Sequence, residues 1–195
     1  MIKKQIWKPG NMLYPLPAVM VSCQKEGGKP NIITVAWCGT ICSDPAMVSI
    51  SVRKERFSHD IICESGEFVI NLTTKELAYA TDYCGVKSGR DCDKFNEMKL
   101  TPQKGMKVSC PIIAESPVNL ECKVREIKEL GSHDMIIAEV VAVDVSEEYM
   151  DENGKFELND TNLLVYSHGE YFTLGDKLGK FGYSVQKKIK TNKNK

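Results

Sequence analysis

Short apolar runs rich in β-branched residues recur along the first half of the chain. Glycine, proline, asparagine or charged clusters separate them, and they occupy residues 18–24, 32–37, 46–52 and 67–72. Runs of this length and composition, bounded by turn residues, are typical of β-strands. The pattern therefore predicts four strands in this half of the protein.

The second half contains a more regular pattern. Residues 118–125 alternate strictly between apolar and polar, with Asn119 and Glu121 on the polar face. Such alternation predicts a half-buried antiparallel strand. After Gly131 the apolar run at residues 135–145 completes a predicted hairpin, and residues 163–166 offer a last strand.

Helical signals are fewer. Thr73 and Glu76 have the spacing of a capping box, and Gly85 suits the C-cap of the helix that would follow. Ser58 is predicted to cap a second short helix that ends near Gly66. Many short strands without long crossover helices favour a closed or partly closed antiparallel barrel over a doubly wound sheet.

Composition and charge narrow the classes of function. A chain of 195 residues favours one domain, and 26 basic against 26 acidic side chains give no global field for nucleic acid or an anionic membrane. The apolar runs are too short to span a membrane and no export signal is seen, so we expect a cytoplasmic protein. Residues 187–195 carry five lysines and are predicted to form a disordered basic tail.

Several motifs that would indicate other chemistry are missing. The eight cysteines form no C-x-x-C pair and no zinc spacing, so we expect reduced core cysteines and no metal site. The glycines of residues 175–182 have the wrong spacing for a Rossmann fingerprint or a P-loop. The three histidines are scattered, which gives a hydrolase no support.

Two segments could form a binding site. Ser51 and Arg53 share the polar face of one predicted strand, and Ser58 follows at a predicted helix start. This set could bind a phosphate or could be a solvated charged turn. Residues 31–39 are predicted to form a strand closed by Trp37, where a flat aromatic ligand could lie, although Trp37 taken alone is more typical of a core residue.

The sequence resembles the flavin reductase-like, FMN-binding split-barrel family, and it is most similar to the flavoredoxin branch. The matching strings are NIITVAWCGTICSDPAMVSISVRKERFSHDII (residues 31–62), DYCGVKSGRDCDKF (82–95), SPVNLECKV (116–124), LGSHD (130–134) and GEYFTLGDKLGKFG (169–182). The resemblance implies a mainly β domain with short helices over residues 1–186, folded as an antiparallel, Greek-key split β-barrel. It also implies a homodimer with one FMN per subunit near the interface.

The resemblance further implies roles for individual residues. The strand expected to line the isoalloxazine ring carries Asn31, Thr34, Ala36 and Trp37. The residues expected at the phosphate end are Ser51, Arg53 and Ser58. Lys94 and His133 match family positions near the ring, with His133 as the catalytic candidate, and Tyr166 would close the pocket from the last strand.

Three functions remain open at this point. The first is a flavoredoxin-like protein that accepts and passes on electrons through bound FMN to a redox partner protein. The second is an NAD(P)H:flavin oxidoreductase, with NADH or NADPH as reductant. The third is a flavin-free thiol redox or binding protein that uses Cys38 with Cys42, or Cys84 with Cys92.

Overall fold

The computed structural model describes residues 1–186, and the tail predicted at residues 187–195 lies outside the described residues. Within this range the strands are β1 Leu16–Pro17, β2 Val19–Cys23, β3 Asn31–Val35, β4 Cys38–Ser43, β5 Ala46–Arg53, β6 Glu67–Leu72, β7 Pro102–Gln103, β8 Ile112–Ile113, β9 Val118–Leu130, β10 His133–Val145, β11 Leu164–Ser167 and β12 Glu170–Thr173. The helices are α1 Phe57–Ser65, α2 Ala78–Val86 and α3 Lys94–Glu97.

Seven strands form the main sheet, in the order β3-β2-β6-β9-β10-β5-β4. Every neighbouring pair in it is antiparallel. Strands β1, β11 and β12 form a separate three-stranded sheet, and β7 pairs with β8. The expected mainly β, antiparallel fold with short helices is therefore confirmed.

The two edges of the main sheet are consecutive in the chain. β3 ends at Val35 and β4 begins at Cys38, so Ala36 and Trp37 cross between the edges. The Ser51 N–H donates to the Trp37 carbonyl at 2.8 Å, which ties this crossing to β5. We call this place the split. A backbone gap in a sheet leaves room for a ligand, and the ring cavity described below opens here.

Apolar side chains pack on both faces of β2 and β3. One cluster, which includes Val21, Ile50 and Phe68, fills the inside of the main sheet. A second cluster, which includes Met20 and Cys84, packs α2 and α3 against the outer face. Burial on both faces explains why β2 is apolar apart from Ser22, as expected for a strand covered on each side.

The strand predictions are largely confirmed. All seven predicted strands are present, and the hairpin turns at Gly131, which has a positive φ of 72°. His133 lies in β10 and not in the turn, because this strand begins two residues before its apolar run. The sequence analysis missed five strands: β4 and β12, which are edge strands with at least half of their residues exposed, and the two-residue strands β1, β7 and β8.

Two helix boundaries differ from the prediction. Thr73 is buried at the end of β6, where its hydroxyl donates to the Ala18 carbonyl at 2.5 Å and its backbone bonds Leu164, so it does not cap α2. Gly85 lies inside α2, and a Cβ there would meet the Thr34 Cβ at 3.3 Å, so this glycine permits close packing on β3.

The start of α1 also differs. Arg56 occupies the N-cap and Ser58 lies in the first turn, where its hydroxyl accepts a hydrogen bond from the Asn31 side chain. The predicted end of α1 is confirmed, since Gly66 adopts a left-handed φ of 68°. A residue other than glycine would be strained at that position.

The polar face of β9 is solvated at Lys123 and Arg125, as half-burial predicts, but not at Asn119 and Glu121. Asn119 donates to the Asn71 side chain at 2.7 Å, and Glu121 accepts the backbone N–H groups of Met106, Lys107 and Val108 at 2.6 to 2.8 Å. Both residues can be buried because β6 supplies the partner of Asn119 and the loop at residues 106–108 supplies those of Glu121.

Within residues 1–186, none of the helices combines the length and the apolar character needed to cross a lipid bilayer.

Candidate functional site

A cavity of about 340 Å³ opens at the split, and we call it the ring cavity. Its aromatic lining comes from different parts of the fold: Trp37 from the crossing, His133 from β10, and Tyr166 and Tyr171 from the three-stranded sheet. Ring-bearing side chains that converge on one space are suited to a flat aromatic ligand. Thr34 and Ala36 add small side chains to the same wall.

Trp37 and His133 form the contact at the centre of this lining. Their ring centroids lie 4.5 Å apart with an interplanar angle of 39°. Trp37 is 39% exposed, so it is not the core aromatic that remained an alternative. The pairing of β10 with β5 sets His133 opposite Arg53 and Met135 opposite Ser51. The Trp37–His133 pair therefore lies beside the polar face of β5.

The surroundings of His133 in the ring cavity change the pKa of its imidazole. Burial lowers the pKa of His133 below its ordinary value, and the positive charges of Arg53 and Arg56 lower it further. The imidazole is therefore neutral near pH 7. Its Nδ1 lies 2.9 Å from the hydroxyl of Ser132. A neutral imidazole at the rim of a cavity can accept a proton.

On the far side of the ring cavity, Tyr171 and Asp82 form a link between the small sheet and α2. The Tyr171 hydroxyl lies 3.3 Å from a carboxylate oxygen of Asp82, and both residues line the cavity. Burial, with the neighbouring Asp82 charge, raises the pKa of Tyr171 to about 12. Tyr171 therefore stays a neutral donor at physiological pH.

A second cavity, of about 300 Å³, adjoins the first, and Ile33 and Arg56 line both. We call it the basic cavity. Four cationic side chains and a single carboxylate line it: Arg56, Lys87, Arg90, Lys94 and Glu55. Two of its lining residues are joined by a buried hydrogen bond, in which the Asn31 side-chain amide donates to the Ser58 hydroxyl at 2.7 Å. A local excess of positive charge favours an anionic group.

Lys94 is the unusual member of the basic cavity, because it is a lysine only 4% exposed. Its ammonium donates to the carbonyls of Ile32 at 2.7 Å and Cys84 at 2.8 Å. Burial lowers the pKa of Lys94. An ammonium has three donors, so one N–H is left for a ligand in the cavity. Lys94 is therefore not the exposed residue that a lysine ordinarily is.

The structure divides the predicted site residues between the two cavities. The ring cavity collects Thr34, Ala36, Trp37, Ser51, Arg53, His133 and Tyr166. The basic cavity collects Asn31, Ser58 and Lys94. Ser51 and Arg53 thus line the ring cavity, whereas Ser58 lines the basic cavity. The reason is that β5 runs along the split, while Ser58 lies in α1 on the other side of Arg56.

The residues of the two cavities that were not singled out from the sequence include Arg56, Asp82, Arg90 and Tyr171. Arg56 belongs to a charged run that also suits a solvated turn. Arg90 lies in a polar loop, and only the fold brings its guanidinium 5.2 Å from the centre of the Phe57 ring. Tyr171 lies on β12, which the apolar pattern did not reveal.

The described residues contain no cluster of three or more His, Cys, Asp or Glu side chains arranged to hold a metal ion. All eight cysteines are free, and four of them are buried. Burial raises the pKa of Cys38 to about 12 and that of Cys84 to about 11. Thiols with such pKa values are poor nucleophiles, because the thiolate is the reactive form.

Comparison with known proteins places this architecture in a family. The model of the flavin reductase like domain matches residues 12–175, and the chain belongs to that family. An uncharacterized protein of Archaeoglobus fulgidus is 32% identical over 83% of this chain and 89% of its own length.

Solved structures give the same result. The flavoredoxin of Desulfovibrio vulgaris is 29% identical, with a TM-score of 0.87 over 94% of this chain and all of that one. A protein with a split barrel domain from Shewanella frigidimarina, 22% identical, has a TM-score of 0.77 over 87% of this chain and 86% of that one. The expected split-barrel fold and the expected family are thus confirmed.

Proposed function

We propose that this protein binds FMN and acts as a flavoredoxin-like redox protein that accepts and passes on electrons. One observation carries the proposal: an aromatic cavity and a basic cavity adjoin each other through Ile33 and Arg56. FMN has the same two-part form, a flat ring joined by a ribityl chain to a phosphate. Each cavity falls at the lower end of the range for cofactor pockets, roughly 300–1,000 Å³.

The ring cavity would hold the isoalloxazine. Trp37 and Tyr166 supply aromatic surface, and Thr34 and Ala36 are small enough to leave space beside the ring. His133, neutral near pH 7, offers a group that can hold a proton at the rim of the cavity. When bound, FMN would supply the electron transfer itself, and the protein would supply its position and electrostatic surroundings.

The basic cavity would hold the phosphate. Arg56 stands between the two cavities, and Lys94 is fixed by two backbone carbonyls with one N–H remaining. The first turn of α1 also lies here, and a helix start favours an anion. This arrangement gives Lys94 and Ser58 the phosphate role and leaves Arg53 at the ring end.

The flavin reductase function is the second candidate, and the family to which the chain belongs supports it. The two candidates differ in turnover with a nicotinamide cofactor. We expect the protein with bound FMN to be reduced by dithionite and to oxidise NADH or NADPH only slowly when free FMN is added. Rapid steady-state oxidation of NADH or NADPH under those conditions would contradict the electron-carrier proposal and support the reductase function.

The thiol candidate has less support. The raised pKa values of Cys38 and Cys84 disfavour thiolate chemistry in both suggested pairs. Alkylation of the folded protein would test this directly: we expect iodoacetamide to leave bound FMN and its reduction unchanged.

We also propose that the protein forms a homodimer. Several large apolar side chains on β10, β12 and the following segment are at least 40% exposed, among them Val143, Val145, Phe172 and Phe181. Apolar surface of this kind often marks a contact between chains. Sedimentation should give twice the chain mass of 21.8 kDa, and a monomer with FMN bound would refute this part of the proposal.

A further inference from the structure

A buried carboxylate fastens one loop to the main sheet. Glu121 lies on β9 and is 0% exposed. Its two oxygens accept the consecutive backbone N–H groups of Met106, Lys107 and Val108 at 2.6 to 2.8 Å. The loop approaches closely because Gly105 has no side chain, and a Cβ there would lie 2.9 Å from Glu121 Oε2. Consecutive N–H groups of this kind form an anion-binding concavity, which the chain fills with its own anion, and we call the arrangement the clamp.

The strand register brings a second carboxyl group to the same face of the sheet. On β10, Ala142 is opposite Glu121 and Asp144 is opposite Asn119. Side chains two residues apart on a strand share a face, so all four point to the side on which the loop lies. Asp144 is therefore the diagonal neighbour of Glu121, and the two carboxyl groups are within hydrogen-bonding reach of each other.

The second carboxyl group has a buried oxygen that nothing in the described chain satisfies. Asp144 Oδ2 has no hydrogen-bond partner within residues 1–186, and neither carboxyl group forms an ion pair with a cation in that range. A carboxylate offers about four lone-pair sites, and the N–H groups of the clamp use three of those on Glu121. One acceptor site is left, and a proton on Asp144 would fill it and satisfy the orphaned oxygen.

The charged groups around the pair do not supply a cation instead. Lys123 follows Glu121 on the same face of β9, but its ammonium lies 3.7 Å from Glu67 of β6. Glu67 in turn accepts the Ser109 N–H at 2.8 Å, so these groups are already engaged with each other. The charged residues next to the clamp and at the end of β10 are exposed: Lys104, Lys107, Glu147 and Glu148.

The surroundings of the two carboxyl groups separate their pKa values. Burial raises the pKa of Asp144, and the negative charge of Glu121 raises it further. Burial also acts to raise the pKa of Glu121, but the three N–H bonds and the bond with Asp144 together hold it below its ordinary value. The pair therefore loses its protons in two steps, and between these steps it carries one proton.

We propose that Asp144 and Glu121 share this single proton and that it makes the clamp on residues 106–108 sensitive to pH. When the proton leaves, two buried negative charges face each other without a donor between them, and the loop opens. Opening uncovers Val108, which packs against Val69 in an apolar cluster on the outside of the sheet. The inference is independent of the proposed function, because none of these residues lines the ring cavity or the basic cavity.

The sign of the effect follows from the two pKa shifts. In the open loop both carboxyl groups return to ordinary pKa values. As pH rises from the ordinary value of an aspartate to the raised value of Asp144, the closed form keeps a proton that the open form has lost, so the clamp weakens by up to about tenfold per pH unit. At lower pH the clamp also weakens, because Glu121 in the open loop takes up a proton before the clamped Glu121 does.

Amide hydrogen exchange of residues 106–108, measured by NMR between about pH 4.5 and about pH 8, tests the proposal. The variant is Asp144→Asn, whose amide can donate to Glu121 at every pH. The matched control is Asp176→Asn, the same change at an exposed aspartate. After correction for intrinsic exchange, we expect the opening equilibrium to rise with pH and then level off in the wild type and in Asp176→Asn. In Asp144→Asn it should stay constant.

A carbon-13 NMR titration of the wild-type carboxyl groups gives a second measurement, which needs no variant. We expect the midpoint of Asp144 to lie above the ordinary aspartate value and that of Glu121 below the ordinary glutamate value. A midpoint of Asp144 in the ordinary range would overturn the shared proton. An opening equilibrium that does not change with pH in the wild type, or that changes equally in Asp144→Asn, would overturn the pH-sensitive clamp.

Discussion

Replacing Lys94 by methionine tests where the phosphate lies. Methionine matches the apolar part of the lysine side chain and lacks the terminal ammonium. The ammonium already donates to two carbonyls, at 2.7 and 2.8 Å, so the proposal gives it one remaining bond to the phosphate. A hydrogen bond to a charged group contributes about 1.5–3 kcal/mol, which corresponds to a loss of roughly 10- to 150-fold in FMN affinity. Lys94 is almost fully buried, so solvent should screen little of this.

The assay compares FMN with riboflavin, which lacks the phosphate. Lys94→Met should weaken FMN and leave riboflavin nearly unchanged. The matched control is Lys87→Met, an exposed lysine of the same cavity, for which we expect a loss of no more than about 1 kcal/mol. The variant also leaves two buried carbonyls without this donor, so urea unfolding must show that it remains folded. Equal losses of riboflavin and FMN in a folded variant would remove Lys94 from the phosphate.

Three further substitutions test other parts of the site. Trp37→Ala should weaken FMN and riboflavin alike, by roughly 1–3 kcal/mol if the ring stacks on the indole, and a loss confined to FMN would contradict that. Arg53→Gln should raise the pKa of His133, since the arginine charge helps to lower it; an NMR titration of the imidazole that shows no upward shift would refute this electrostatic coupling. Gly89→Ala would place a methyl group 2.0 Å from a side-chain oxygen, so it should lower both Tm and FMN affinity. The control Gly39→Ala, with no atom within 4 Å of its Cβ, should leave FMN affinity and Tm closer to wild type. Equal effects of the two variants would show that the packing at Gly89 is not needed.

The sequence predicted the strands well because most of them have a strong apolar pattern. Of the strands that it missed, β4 and β12 lie at sheet edges, where half or more of the residues are exposed and no pattern develops. The other three, β1, β7 and β8, are only two residues long, too short for a pattern. The helix errors have a different cause. The capping residues Thr73 and Ser58 have the right spacing, but each hydroxyl is used by a partner distant in sequence, Ala18 and Asn31. Local spacing cannot reveal such competition.

The same limit applies to the site. Strand faces predicted correctly that Ser51 and Arg53 lie together, because alternation along β5 fixes which side they share. Nothing local could show that Arg56 separates this pair from Ser58, or that Arg90 reaches the Phe57 ring. These relations depend on how loops pack against the barrel. Lys94 illustrates the point best, since its charge would ordinarily predict an exposed residue and the fold buries it.

The central claim is that FMN spans the ring cavity and the basic cavity, and equilibrium binding tests it most directly. Flavin-free protein is mixed with excess FMN, passed through a gel filtration column and examined for the visible absorption of flavin. We predict that FMN elutes with the protein at one per chain, and that a parallel titration gives riboflavin a Kd at least roughly tenfold higher, as the loss of the phosphate contacts requires. Protein that elutes without flavin would contradict the claim, and so would equal affinity for the two flavins.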